Sequence, residues 1–268
     1  LALEKEIQRR PRSALPANRY RRLAVSLGQV DRPIGLFQAI VDRYPPGEAP
    51  IMPRLQLALA FIDKIPSVHE DVLLGASVAK ESLLVLGRIT RERPECYSAH
   101  FIAGMNHLYW PSGLKHAPDA IRDFEFCRKV IEDLERGPGS KDPHPLLERS
   151  HKLQLLVALG DAHVRDNHPE VARQVWKEAL AAFPADAQLG RRLSLGDKDL
   201  VDFVKDERDL DRAIDSSLPF LEMENEISRL EEAIRKEPES REMLGAYRLE
   251  AAELGAIARA EAFLQSLV

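Results

Sequence analysis

The side chains best suited to chemistry in this chain are three histidines, His100, His107 and His116. His100 and His107 are seven residues apart, a spacing that puts both on one face of an α-helix, and His116 follows in a turn-rich segment. Imidazole is a common ligand of zinc and other transition metals, and Cys96 or Met105 could complete such a set. The pattern therefore raises the hypothesis of an accessory protein that carries a metal or a cofactor.

Motifs typical of enzymes do not occur in the sequence. It has no GxGxxG or GxxxxGK[ST] phosphate-binding loop, no GxSxG nucleophile turn and no HExxH zinc motif. Aspartate and glutamate are numerous but spread along predicted helix faces, where solvation and pairing at i,i+4 account for them. We therefore predict a protein that is not an enzyme and that has no catalytic residues and no cofactor.

Composition excludes several other classes of protein. The 268 residues include 44% hydrophobic and 30% charged residues, which is an ordinary globular profile. A net charge of −5 argues against general nucleic-acid binding. No apolar run approaches the roughly 20 residues that span a bilayer, so we expect no transmembrane segment and a cytoplasmic protein. Because the chain begins at Leu1 rather than Met, we also expect a trimmed or processed N-terminus.

The stretch 153–186 has the most regular pattern in the chain and predicts a helical hairpin. Its first half carries apolar or small residues at i, i+3, i+4 and i+7, and its second half repeats small and aromatic residues before a proline. The positions predicted to pack the two helices together are Leu156, Leu159, Gly160, His163, Ala172, Trp176, Ala179 and Pro184.

A second hairpin is predicted over 97–132, with four extra residues in its turn. Gly104 and His107 take the places of Gly160 and His163, and the second helix again presents a small residue followed by an aromatic one. The packing positions of this hairpin are Gly104, His107, Ala120 and Phe124.

Both stretches resemble the tetratricopeptide repeat (TPR), a unit of 34 residues that folds as helix, turn and helix. The resemblance implies an all-α fold, a right-handed superhelical stack of antiparallel helix hairpins of the α-solenoid type, irregular at both ends. It also assigns His100, His107 and His163 to positions between helices. We therefore favour structural roles for these histidines and predict no metal site.

Three segments are predicted along the chain. Residues 1–190 form a TPR-like block with degenerate N-terminal hairpins. Residues 191–220, in which acidic and basic side chains alternate densely, form a charged linker or a short helix. Residues 221–268 return to the repeat pattern as C-terminal TPR-like helices.

The family resemblance also implies where a partner would bind. TPR proteins hold a protein or peptide on a concave face lined by their first helices, and the corresponding positions here are Phe101, Met105, Leu108, Tyr109, Gln154, Asp161 and Arg165. We therefore predict a non-enzymatic interaction or scaffold module. One alternative is that the apolar members of this set are core residues covered by the insertion at 110–119.

A third possible function comes from the basic N-terminal arm. Residues 1–22 carry more cations than anions, namely Lys5, Arg9, Arg10, Arg12, Arg19, Arg21 and Arg22 against Glu4 and Glu6. Such an arm suits an adaptor at an anionic membrane. The competing interpretation is a solvated helix followed by a linker that contains Pro11 and Pro16.

Overall fold

The computed structural model describes residues 2–68, 71–110, 114–136, 149–206, 218–254 and 256–267. These ranges are predominantly helical and contain no β-strand. The prediction of an all-α fold is therefore confirmed for the described part of the chain.

The helices, in chain order, are α1 (Ala2–Arg9), α2 (Ala14–Ser26), α3 (Asp31–Val41), α4 (Ile51–Lys64), α5 (Val72–Glu92), α6 (Tyr97–Leu108), α7 (Ala117–Arg136), α8 (Arg149–Arg165), α9 (Pro169–Ala182), α10 (Ala187–Ser194), α11 (Asp197–Asp206), α12 (Leu218–Lys236), α13 (Arg241–Leu254) and α14 (Ile257–Gln265). A 3₁₀ turn, Ile65–Val68, follows α4.

Local sequence explains several helix ends. The carboxylate of Asp71 accepts a hydrogen bond from the backbone N–H of Leu74 at the start of α5, and Asp186 caps α10 in the same manner. Between α8 and α9, Asn167 takes a left-handed conformation with φ of 62°, and Pro169 opens α9. The turn of this hairpin is therefore encoded by a few adjacent residues.

Contacts divide the chain into two compact units, Leu1–Pro94 with Ser216–Val268, and Glu95–Asp215. This division differs from the predicted boundaries at 190 and 220. In the described part of the predicted linker, α11 packs on α8, and α10, which begins just before it, packs on α9. Charged residues at the surface of these short helices produced the linker-like composition, while buried Leu189, Leu200 and Val204 attach the helices to the unit.

Two hydrophobic clusters among the described residues lie in the first unit. Helices α1 to α4 bury the residues Ile7, Ala17, Tyr20, Phe37, Ile40, Leu57 and Ala60. Helices α12 to α14 bury the residues Ile227, Ile234, Tyr247, Ala251, Ala260 and Phe263. Helix α12 also packs against α2 and α4.

Part of the basic arm belongs to the structured interior of this unit. Arg21 is only 4% exposed and forms an ion pair with Asp63, and it also donates a hydrogen bond to Gln56 at 3.1 Å. Pro16, expected in a linker, lies in the first turn of α2 and is buried. Arg21, which the sequence placed among the charges of a basic arm, is therefore a buried cation with a structural role.

In the second unit, successive helices are neighbours. Helix α6 packs on α7, α7 on α8 and α8 on α9, while α6 also contacts α8. Helix α10 packs on α9, and α11 packs on α8. Both hairpins with the regular pattern and all three histidines of the metal hypothesis lie in this unit.

Within the described ranges, no helix combines the length and the apolar character that crossing a membrane requires.

Candidate functional site

In the hairpin α8–α9, a tryptophan of α9 packs against a glycine of α8. A Cβ atom at Gly160 would lie 2.0 Å from Nε1 of Trp176, so no larger residue fits without movement. Trp176 is completely buried, as are Ala172 and Ala179, the residues one turn before and one turn after it on α9. The small residues at these positions therefore bring the two helices close together.

The hairpin α6–α7 uses the same arrangement with a smaller ring. A Cβ atom at Gly104 would lie 2.7 Å from Cε1 of Phe124, and Phe124 is completely buried together with Ala120. Among the other predicted packing positions, Leu156 and Leu159 are buried, His107 and His163 are half-buried, and Pro184 is exposed just after the end of α9.

The apolar positions predicted to line a groove on α6 are internal. Phe101 and Met105 are each 2% exposed and Leu108 is 3% exposed, whereas Tyr109 is half-buried. The Phe101 ring stacks on Tyr97 at 6.0 Å and meets Phe124 edge-on at 5.9 Å. Phe101, Met105 and Leu108 therefore behave as core residues, which is the alternative that the sequence left open.

The corresponding face of α8 is polar, and it is occupied by another part of the chain. Asp161 accepts two hydrogen bonds of 2.8 Å from Arg192 of α10, one from Nε and one from Nη2. Arg192 is 2% exposed and Asp161 9%, so the ion pair is internal. Arg165 donates a hydrogen bond of 2.7 Å to the carbonyl of Trp110, and Gln154 is half-buried.

Helix α11 completes the cover of α8. Its Leu200 and Val204 are buried, with 0% and 4% exposure. The Phe203 ring lies 5.3 Å from the guanidinium carbon of Arg192 and 4.5 Å from that of Arg191, within the range of cation–π contacts. Arg192 thus connects Asp161 on α8 with the aromatic side chain of α11.

A histidine cluster lies where α6 ends and α7 begins. The Nδ1 atoms of His107 and His116 are 2.9 Å apart, and their nearly parallel rings, with centroids 5.1 Å apart, meet edge to edge at these two atoms. Asp119, in the first turn of α7, joins them, and ligand atoms of the three residues lie within 4.8 Å of one another. Two imidazoles and a carboxylate at such distances form a set that is able to hold a transition-metal ion.

His100 does not belong to this group of three. Its Nδ1 atom is 2.8 Å from a carboxylate oxygen of Asp123, and its ring lies 4.1 Å from that of Phe126. The predicted ligand set of His100, His107 and His116 is therefore corrected, because the turn before α7 brings Asp119 to the other two histidines while His100 pairs one turn farther along α7. Cys96 and Met105, suggested as further ligands, are both buried, and Cys96 is not a member of the group.

The two half-buried histidines of the hairpins share an electrostatic property. Burial lowers the pKa of His107, and the opposing effect of Asp119 and Asp123 is smaller. Burial likewise lowers the pKa of His163, with a further lowering by His168. Both rings therefore favour the neutral form, which is also the form that binds metals.

Two functional residues were missed in the sequence. Asp119 had a local signal, because an acid three residues after His116 falls in the first turn of the helix that His116 precedes. Arg192 had none, since it lies 31 residues from its partner Asp161 and sits in a segment predicted to be a linker or short helix.

Known proteins offer no guide to this chain. Comparison with protein-family models, with curated proteins and with solved structures finds no match. We therefore infer function from the chain's own contacts and charges.

Proposed function

We propose that this protein is a non-enzymatic interaction module, a stack of TPR-like helical hairpins that binds a helix of a partner protein on the face of α8 against which α11 packs. The observation that supports this proposal is that α11 of the same chain packs on α8 with its apolar side chains buried. A face that holds one amphipathic helix has the shape and chemistry to hold another.

The repeat assignment is supported by contacts inside the second unit. Each of the helices α6 to α9 packs on the next one, and the two first helices, α6 and α8, also contact each other. Both hairpins use a helix glycine under a buried ring of the opposite helix, Gly104 under Phe124 and Gly160 under Trp176. Repetition of one unit and one packing device is what a solenoid of hairpins requires.

The chemistry of α11 indicates the class of partner helix. Its buried or half-buried residues Leu200, Phe203 and Val204 lie at i, i+3 and i+4, which makes one apolar stripe. The positive charges of Arg191 and Arg192 meet the aromatic ring of Phe203. We therefore propose that the partner supplies a short amphipathic helix with an aromatic residue between two aliphatic ones.

Releasing α11 from α8 tests the proposal. In the double variant Leu200→Asp, Val204→Asp, charges replace two buried side chains, so α11 should leave the face. A fluorescent peptide of residues 196–206 should then bind the full-length variant with a Kd on the order of 100 µM or tighter, measured by anisotropy, and should not bind the parent. Proteins captured from lysate by the released variant and not by the parent would be candidate partners.

Controls separate release from general damage. Lys198→Asp puts a new aspartate on an exposed position of α11 and should leave the face closed. A peptide with Leu200→Ala and Phe203→Ala should lose binding to the released variant. If the released variant keeps its helical circular dichroism spectrum and still fails to bind the peptide, the α8 face is not a helix-binding surface.

A further inference from the structure

We propose that His107, His116 and Asp119 form a binding site for one divalent transition-metal ion of the zinc class. This inference is independent of the proposed function, because it concerns the turn between α6 and α7 and not the face of α8. It concerns a ligand set that the sequence pattern alone did not assemble, since Asp119 takes the place expected for His100.

Distances between the ligand atoms fit one ion. Nitrogen ligands bind zinc at about 2.0–2.1 Å and carboxylate oxygens at a similar distance. Two nitrogens 2.9 Å apart, the separation of the His107 and His116 Nδ1 atoms, can both reach one ion at that length with an angle of about 90°, once each ring has turned so that its Nδ1 lone pair points at the ion and not at the other Nδ1. A carboxylate oxygen of Asp119 lies within 4.8 Å of both and would be the third ligand.

Neighbouring aromatic side chains restrict the orientation of the His116 ring. The Trp110 ring lies 4.1 Å from that of His116, and its indole N–H is engaged by Asn106 at 3.0 Å. His116 is thus held between the rings of Trp110 and His107. Ligands whose orientation is already restricted lose less entropy when they bind an ion.

Besides the turning of the two rings, binding of an ion requires two local changes. In the neutral pair, one Nδ1 donates a proton to the other, and this proton must move to Nε2 of the same ring before both Nδ1 atoms can bind, a change of tautomer without a change of charge. Asp119 must also release Arg122, whose Nη1 lies 2.7 Å from its carboxylate. That ion pair is exposed, with 67% of the Arg122 side chain accessible, so its loss is a minor penalty.

A bound ion would link the C-terminal end of α6 to the N-terminal end of α7. His107 is in the last turn of α6, His116 directly precedes α7, and Asp119 is in the first turn of α7. The ion would therefore connect helix ends that the chain joins only through the long turn. Three protein ligands leave at least one position open to water or to a group of a partner protein.

Metal titration of the full-length, tag-free protein tests this site. After treatment with a chelator and buffer exchange, Zn²⁺ should bind with a stoichiometry of one by isothermal titration calorimetry and should raise the melting temperature. Co²⁺ should bind at the same site and give visible absorption bands of a four- or five-coordinate ion. His116→Gln should weaken Zn²⁺ binding by at least about 10-fold, and Asp119→Asn should also weaken it.

Two histidine controls decide between this set and the alternatives. His100→Gln and His168→Gln, which alter histidines outside the group, should leave the affinity for Zn²⁺ unchanged. Circular dichroism and melting of each variant without metal show whether it is folded. If a histidine variant unfolds, Asp119→Asn still tests the site, because it is a nearly isosteric change at a partly exposed position. Equal affinity in the parent and in folded Asp119→Asn and His116→Gln, or equal loss in His100→Gln, would overturn the proposal.

Discussion

The hairpins α6–α7 and α8–α9 pack their two helices in the same way and differ in the length of their turns. Each places a glycine of the first helix under a buried ring of the second. The turn of α8–α9 spans residues 166–168 and contains the left-handed Asn167, whereas the turn of α6–α7 runs from 109 to 116. The core of a hairpin is thus compatible with turns of different length.

Equivalent histidines in the two turns have different neighbours for this reason. The long turn supplies His116, which pairs with His107. The short turn also carries a histidine, but the Nδ1 of His168 pairs with Asp166 at 3.1 Å, and the buried Nδ1 of His163 has no hydrogen-bond partner among the described residues. Insertion of a few residues therefore separates a packing histidine from a metal-site candidate, although both occupy the same place in the repeat pattern.

The faces of the first helices differ as well. On α6 the face is apolar and internal, with Phe101 against Tyr97 and Phe124. On α8 it is polar and carries the ion pair of Asp161 with Arg192. The same set of positions in the sequence pattern is therefore apolar core in one hairpin and carries an internal ion pair in its neighbour.

The largest effect should come from truncating the internal face of α6. Phe101→Ala should destabilise the protein by about 3–5 kcal/mol, because it removes a fully packed aromatic ring. Val157→Ala, at the equivalent position of α8, is half-buried and should cost about 1 kcal/mol. Denaturant unfolding of both variants measures the difference. Equal and small losses would mean that the α6 face is open and would restore it as a candidate groove.

A smaller effect should distinguish the two glycines. Gly160→Ala should cost about 1–3 kcal/mol, because the new Cβ would lie 2.0 Å from Nε1 and 2.3 Å from Cε2 of the rigid indole of Trp176. Gly104→Ala should cost less, since its nearest atoms on Phe124 are 2.7 Å and 2.9 Å away. In both variants the better helix propensity of alanine offsets up to about 1 kcal/mol.

A double-mutant cycle identifies the cause of the Gly160 effect. Trp176→Phe removes part of the ring that the alanine would meet, so the combination Gly160→Ala, Trp176→Phe should be less destabilised than the sum of the single variants. Strict additivity would show that Gly160 is required for another reason, such as a contact outside the hairpin.

The smallest effect concerns pH and the half-buried ring of His163. Because burial lowers the pKa of His163 below its ordinary value of about 6.5, protonation favours the unfolded chain. The contribution of this group to stability is complete above about pH 6.5 and is lost as the pH falls from there through the lower pKa of the folded state. His163→Gln should flatten that part of the profile of unfolding free energy against pH.

An exposed histidine provides the control for this titration. His168 lies in the same turn, with 58% of its side chain accessible, and His168→Gln should keep most of the acid-dependent loss. If His163→Gln and the parent have the same profile between about pH 5 and 7, the ring of His163 is not the group that responds.

The parts of the fold that depend on residues close in sequence could be predicted, and those that depend on distant residues could not. The helical hairpins were readable because Gly160, Ala172 and Trp176 act within one local unit, where spacing along the chain sets spacing in the structure. The same locality explains why Asn167 and Pro169 indicated the turn. Helix α11 lies in the segment predicted as a charged linker or a short helix, and the sequence did not decide between the two because exposed charges dominate this short stretch, while the residues that attach it are few.

Periodicity over a few turns was sufficient to predict which residues share a helix face and that the described part of the chain is helical. The tertiary structure decided what each face meets. Asp161 was placed correctly on the face of α8, but only folding brought it Arg192 from 31 residues away. The sequence placed His107 at a packing position, and the tertiary structure brings His116 and Asp119 next to it. The reason is that side chains on different helices meet according to how those helices dock and not according to their spacing in the chain.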